Sequence, residues 1–153
     1  MKTIIVYSTM TGTTEFMAEQ IAAALTEAGY AVDIAESTNT SPHELAGYDL
    51  ILIGANTWDE GDLWDEMIDF YEELPGVDLT GKKGAVFGAG DSFYEHFATA
   101  VDTMEEALKK QGCELLLDGL KVDVVPDEEI ETACKDFARK LDLRCRELGL
   151  VQQ

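Results

Sequence analysis

"KTIIVYSTMTGTTEFMAEQIAAALTEAG", residues 2–29, decides the fold class. Its first six residues are a short apolar run rich in β-branched side chains, the pattern of a strand buried on both faces. Met17, Ile21, Ala24, Leu25 and Ala28 then recur at helical spacing until Gly29 stops the run. Between strand and helix lies "STMTGTTE", 8–15, with hydroxyls from Ser8, Thr9, Thr11, Thr13 and Thr14 and a Gly at 12. Gly12 gives the backbone freedom to wrap closely. The helix is expected to begin at Thr13 or Thr14, so its amides and positive dipole end face the loop. Such a turn binds an anion without a basic side chain. The same residues also suit an ordinary Thr N-cap on a strand–helix turn. A P-loop is excluded, because that motif needs a Lys that this loop lacks.

The alternation continues outward. "YAVDI" (30–34), "YDLILIGA" (48–55), "KKGAVFGAG" (82–90) and "CELLLDGLKVD" (113–123, a strand and its extension) read as four more strands. "TSPHEL" reads as a loop or short helical turn with Pro42 at its first position. Leu63, Met67, Phe70, Tyr71 and Leu74 mark a second helix, ended by Pro75-Gly76. Phe97, Val101, Met104 and Leu108 mark a third, closed by Gly112. Ile130, Cys134, Phe137, Leu141, Cys145 and Leu148 mark the last. Five apolar strands alternating with helices imply one α/β domain over residues 1–153, a parallel sheet covered on both faces. Its ligand should sit beyond the carboxyl ends of the strands, in loops 8–14, 56–62 and 89–97.

The second loop region, "NTWDEGDLW" (56–64), offers Trp58; the third, "AGDSFYEHF" (89–97), offers Tyr94. An aromatic at a strand exit either caps the core edge or forms a stacking platform. Two of them beside a phosphate cradle suit a flat aromatic ligand with a phosphate tail, such as flavin mononucleotide (FMN). "GAG" at 88–90 mimics a dinucleotide fingerprint, but position 93 is Phe where a third Gly is needed.

The chain carries 31 acidic and 11 basic residues, a formal charge of -20. That excludes nucleic acid and anionic membranes as partners and favours basic protein surfaces. The apolar run at the N-terminus is too short for a signal peptide or membrane span, which points to the cytoplasm. Three cysteines, Cys113, Cys134 and Cys145, have neither C-x-x-C spacing nor a nearby His, so no metal site or disulfide framework is expected.

"STMTGTT", "NTWDEGDL" and "GAGDSFYEHF", each following a strand, make the chain resemble the short-chain flavodoxins essentially end to end. The resemblance implies a doubly wound three-layer sandwich with a five-stranded parallel sheet in the order 2-1-3-4-5. It also implies non-covalent FMN and no metal. The phosphate loop then falls on Thr9, Met10, Thr11, Gly12, Thr13 and Thr14, with Met10 where many members carry a hydroxyl. Asn56 and Thr57 line the ribityl and phosphate side, and Trp58 and Tyr94 flank the ring. Ala89, Gly90, Asp91, His96, Phe97 and Ala98 supply the pyrimidine edge. The family's activity is one-electron transfer, shuttling FMN between semiquinone and hydroquinone, rather than catalysis. The implied partners are a basic-surfaced NAD(P)H-dependent ferredoxin/flavodoxin reductase and redox acceptor enzymes, met by a monomer.

A response-regulator receiver shares the topology but needs an acidic pair, a phosphorylatable Asp and a Lys where this chain reads Ser8-Thr9, "IGAN" and "VVPD". An FMN-dependent NAD(P)H:quinone or disulfide reductase is the enzyme alternative. A flavodoxin-like activator of a metalloenzyme is a further alternative.

In the family, a peptide after the loop Trp flips to accept a hydrogen bond from the reduced ring. Many members place Gly there, because the flipped turn needs positive φ. This chain has Asp59-Glu60, with Gly61 next. Asp tolerates the left-handed region less well than Gly, so the flip costs more here. Asp59→Gly is expected to raise the oxidised/semiquinone potential, and no upward shift in a spectroelectrochemical titration would refute the assignment.

Overall fold

The computed structural model describes residues 1–8, 12–58, 62–63, 65–90, 99–123 and 125–150. Strands β1 (Lys2–Tyr7), β2 (Ala31–Glu36), β3 (Leu50–Trp58) and β5 (Lys83–Ala89) pair in parallel, in the order β2-β1-β3-β5. A two-residue strand β4 (Asp62–Leu63) folds back antiparallel on the end of β3. The far edge of the sheet is shared by β6 (Glu114–Leu115) and β7 (Leu120–Val122), both parallel to β5. With the hairpin strand set aside and β6 and β7 taken as one position, the order is the expected 2-1-3-4-5.

Strand alternation splits the core in two. Ile5, Tyr7, Leu50, Leu52, Ala85 and Phe87 face α1 (Thr13–Glu27) and α4 (Asp127–Glu147). Ile4, Val6, Ile51, Ile53 and Val86 face α2 (Asp65–Glu73) and α3 (Thr99–Lys110). The helical stripes are buried as their spacing requires: Met17, Ile21 and Leu25 on α1, and Cys134, Leu141 and Cys145 on α4, are fully inaccessible. Burial pushes the Cys113 and Cys134 thiols up to about 11 and about 12, so at neutral pH both are inert core side chains. Pro42 opens a short 3₁₀ turn, Pro42–Gly47, closed by a capping box between Ser41 and Glu44.

Three elements differ from the sequence reading. β3 does not stop at Ala55 but continues to Trp58, because β4 supplies a partner for Thr57 and Trp58. Trp58 thus ends the strand instead of lying past it. Leu63 belongs to that hairpin and not to the second helix, which starts at Asp65.

The last strand is broken. Gly84 pairs with Leu115 and Phe87 with Leu120, so three steps along β5 correspond to five along its neighbour. The extra residues form an excursion in the manner of a bulge. Leu116 turns into the core, and the half-buried Glu105 on α3 accepts a hydrogen bond from the Gly119 amide at 3.1 Å. A Cβ on Gly119 would overlap the Val101 side chain, so the excursion packs directly on α3.

Gly54 on β3 is a second close approach. A Cβ there would lie 2.6 Å from the Phe87 ring and 2.9 Å from the Thr14 methyl, pushing the first turn of α1 off the sheet. Gly54→Ala is expected to destabilise the protein by about 1–3 kcal/mol through overpacking; an unchanged urea midpoint would contradict this.

Glu105 sets a pH dependence of unusual sign. Burial raises its carboxyl pKa, with Asp102 adding, against the Gly119 amide, Lys109 and Lys121. A carboxyl with a raised folded pKa adds stability below its unfolded value and loses it as pH climbs through the folded one. Glu105→Gln keeps an acceptor for Gly119 without the buried charge. At pH 7 it should unfold at the parent's urea concentration or higher. Glu105→Ala strands the amide and should lose roughly 1 kcal/mol.

Candidate functional site: the β1/β3 switch point

The carboxyl ends of the strands form one continuous edge. Tyr7 pairs with Gly54, Gly54 with Phe87, Asn56 with Ala89, and Ala89 with Val122. From β1 the chain enters α1 on one face; from β3 it enters α2 on the other. Neighbouring strands whose exits diverge leave a crevice between them, where open α/β sheets bind ligands, a rule that flavodoxins themselves illustrate.

The described part of the expected anion-binding loop, Gly12 to Thr14, lies at this crevice. Gly12 sits at the N-cap of α1 with φ 91°, a left-handed conformation that favours glycine. Thr13 opens the helix, and Phe16 N donates to Gly12 O at 3.0 Å to close its first turn. The N-cap position is Gly12 itself, which has no side chain, so the helix begins on a glycine-led turn and neither Thr13 nor Thr14 is its N-cap. Thr14 is fully buried against Gly54 and Phe87. Asn56, Thr57 and Trp58 are carried on the last residues of β3, beside Ala89. Gly90 N donates to Val122 O at 3.0 Å, which fixes where the third loop leaves the sheet. Thr9, Met10, Thr11, Asp59, Gly61, Asp91, Tyr94, His96, Phe97 and Ala98 lie outside the described residues.

Two positions were legible in the sequence only as strand residues. Gly54 lets α1 reach the edge, and its signal was a glycine inside an otherwise aliphatic run. Gly88 in "GAG" serves packing: a Cβ there would overlap Ala55 O and stand 2.8 Å from a Val101 methyl. That supports its reading as no dinucleotide fingerprint. Ser8, read in the sequence as a loop hydroxyl, also belongs to the packed edge. Its amide donates to Gly54 O at 3.0 Å, its side chain is buried, and its hydroxyl oxygen has no hydrogen-bond partner among the described residues.

The field at this edge is negative. The Tyr7 phenol is pushed up to about 12, first by burial and then by Glu15, Glu36 and Glu19 around it. It therefore stays a neutral donor, 3.4 Å from Glu36 Oε1. Of the 11 basic residues, Lys121 alone lies near the carboxyl edge, and it is held 2.9 Å from Asp102. Lys2, Lys82 and Lys83 lie at strand starts, Lys109 and Lys110 end α3, and the rest begin at the third turn of α4. Asp127, Glu128 and Glu129 form the first turn of α4. An anion placed here would meet backbone and hydroxyl dipoles in place of cations. A glycine-led helix N-terminus, a partnerless buried hydroxyl and hydroxyl-rich flanks fit the phosphate of FMN in donor chemistry. Among the described residues no group of His, Cys, Asp or Glu has the arrangement of a metal site, and no helix is long and apolar enough to cross a membrane.

The comparisons agree with this geometry. The flavodoxin family model matches residues 5–149. The chain is 40% identical over 140 residues to a probable flavodoxin 2 of Bacillus subtilis, covering 91% of this chain and 93% of that one. It is 42% identical over 131 residues to a flavodoxin of Maridesulfovibrio salexigens, covering 84% and 90%. The crystal structure of oxidised flavodoxin 2 from Bacillus cereus superposes with a TM-score of 0.90 at 40% identity, over 94% of this chain and 99% of that one. A short-chain flavodoxin associated with a non-canonical PDU bacterial microcompartment superposes with a TM-score of 0.85 at 38% identity, over 92% and 97%. With the switch-point crevice and its glycine-led helix already in place, these matches establish that the chain belongs to the flavodoxin family.

Proposed function

We propose that this chain is a low-potential one-electron carrier that holds FMN non-covalently, between a basic-surfaced NAD(P)H-dependent reductase and acceptor enzymes. Membership of the flavodoxin family makes it an electron-transfer protein and not an enzyme. The observation that carries the finer reading is the N-terminus of α1, set at the β1/β3 crevice by Gly12 and Gly54 in an edge depleted of cations.

When bound, FMN supplies the redox chemistry, and the protein tunes it. The residues proposed to hold it are Thr9 to Thr14 at the phosphate and Asn56 and Thr57 along the ribityl chain. Trp58 and Tyr94 would flank the ring, with Asp59 and Gly61 in the turn beside it. Ala89 to Asp91 and His96 to Ala98 would meet the pyrimidine edge.

Charge sets the direction of tuning. Asp62 stands on β4, paired with the end of β3, and Asp65, Glu66 and Asp69 follow on α2. At about 10–15 Å and an effective dielectric of about 40–80, each carboxylate costs an added negative charge roughly 0.3–0.7 kcal/mol. That corresponds to about 10–30 mV for a one-electron couple. The same field steers basic partners to this edge, and salt weakens the steering.

The test is anaerobic mixing of the FMN-loaded protein with NADPH, alone and then with a ferredoxin/flavodoxin reductase. The flavin absorbance should persist with NADPH alone and bleach when the reductase is added, with the lower one-electron couple below that of free FMN. Rapid bleaching by NADPH alone would instead establish a reductase.

A further inference from the structure

Strand β7 is too short to hold its own place. It has three residues, its ladder partner among the described residues is β5, and the excursion Leu116 to Gly119 severs it from β6. An edge strand of this length needs support from outside the sheet. The first two turns of α3 supply it. A Cβ on Gly119 or on Gly88 would come within 2.3 or 2.8 Å of a Val101 methyl, so the helix lies directly on both strands. Lys121 pairs in register with Gly88, and its Nζ stands 2.9 Å from Asp102 Oδ2. One turn further along α3, Glu105 accepts from the Gly119 amide at 3.1 Å.

This strap joins both ends of one loop. Gly90 N donates to Val122 O at 3.0 Å, so β7 fixes where the chain leaves β5. The chain returns at Thr99, the first residue of α3, one turn before Asp102. Lys121, bound to Asp102, is the neighbour of Val122. β7 is therefore tied to the chain before position 91 and again after position 98, and it sets the distance between the two ends. The segment between them is the one proposed to meet the pyrimidine edge of the ring. Lys121 is also the one cation near the carboxyl edge, and Asp102 engages its ammonium group. A cation there serves a purpose other than holding an anion.

We propose that Asp102 and Lys121 are positioning residues for the ring end of the FMN site. Their ion pair, with the Glu105–Gly119 hydrogen bond beside it, fixes the span from Gly90 to Thr99. This rests on the carrier reading above. A loop whose ends are set in advance loses less freedom when its ligand arrives, and affinity rises accordingly. The pair lies on the α2/α3 side of the sheet, whereas the phosphate is proposed at the N-terminus of α1, on the other face. Its effect therefore belongs to the ring and not to the phosphate.

The experiment compares the parent with Asp102→Asn, with Lys121→Met and with the reversed pair Asp102→Lys plus Lys121→Asp. The apoproteins are titrated with FMN and with riboflavin by flavin fluorescence, and their urea midpoints are measured without ligand. Each single variant should bind both flavins about two- to fivefold more weakly, the scale of an exposed ion pair. The factor should be the same for the two ligands, which share the ring and differ at the phosphate. The reversed pair restores the contact and should return to within about twofold of the parent. Unchanged riboflavin affinity in the single variants would overturn the proposal. So would a loss for FMN alone, which would mean that the two charges act on the phosphate through the field. Lower urea midpoints with unchanged flavin affinity would reduce the pair to a brace for the fold. A reversed pair no better than the single variants would overturn the assignment to the ion pair. A parent protein that binds neither flavin would count against the carrier reading itself.

Discussion

The contact on which the rest depends is the approach of the first turn of α1 to β3 at Gly54. Where a side chain would start, the Phe87 ring and the Thr14 methyl already fill the space. This fixes the helix N-terminus at the sheet edge, beside the point where β1 and β3 send their chains to opposite faces. The field of a helix terminus fades within about one turn, so a small retreat of α1 would weaken it as an anion site. A missing methyl group in the middle of the sheet thus governs chemistry at its rim. Glycine's conformational freedom matters separately, at Gly12, where the chain turns into the helix with positive φ.

The proposed cradle, built of dipoles, would leave the surrounding charge free to serve another purpose. The cations are mostly kept away from this edge, several of them in ion pairs such as Lys135–Glu131 and Lys140–Asp136. Exposed pairs of this kind contribute about 0–1 kcal/mol each, so their placement matters more than their strength. Near the crevice, burial first and then Glu15, Glu36 and Glu19 raise the pKa of Tyr7. The three thiols are buried, which leaves no exposed thiol on the described surface of a protein that handles electrons.

The parts of the fold that were legible in the sequence are those whose environment is set by period alone. β1, β3 and β5 lie in the interior of a parallel sheet, buried on both faces, and so read as unbroken apolar runs. α1 and α4 each bury one stripe, and Met17, Ile21 and Leu25, or Cys134, Leu141 and Cys145, recur accordingly. The misreadings have a common cause. The end of β3 depends on whether a partner strand exists beyond it, and the two residues of β4 are too few to carry a period. The break in the last strand depends on Glu105 and Val101 of α3, which meet Gly119 from 14 and 18 positions away. Ser8 read as one hydroxyl among five in a loop; its burial and its lack of a partner are properties of the packed edge.

By itself the sequence determined the class of fold, most of the strands and helices, and the acidity of the whole. Those follow from periodicity, turn chemistry and composition, which are local or additive along the chain. Only the tertiary structure decided that the last strand breaks against α3, that Gly54 and Gly88 are contact points instead of interruptions, and that one serine hydroxyl is buried with no partner among the described residues. These depend on which atoms share space after strands distant in sequence have paired, and no local pattern encodes that.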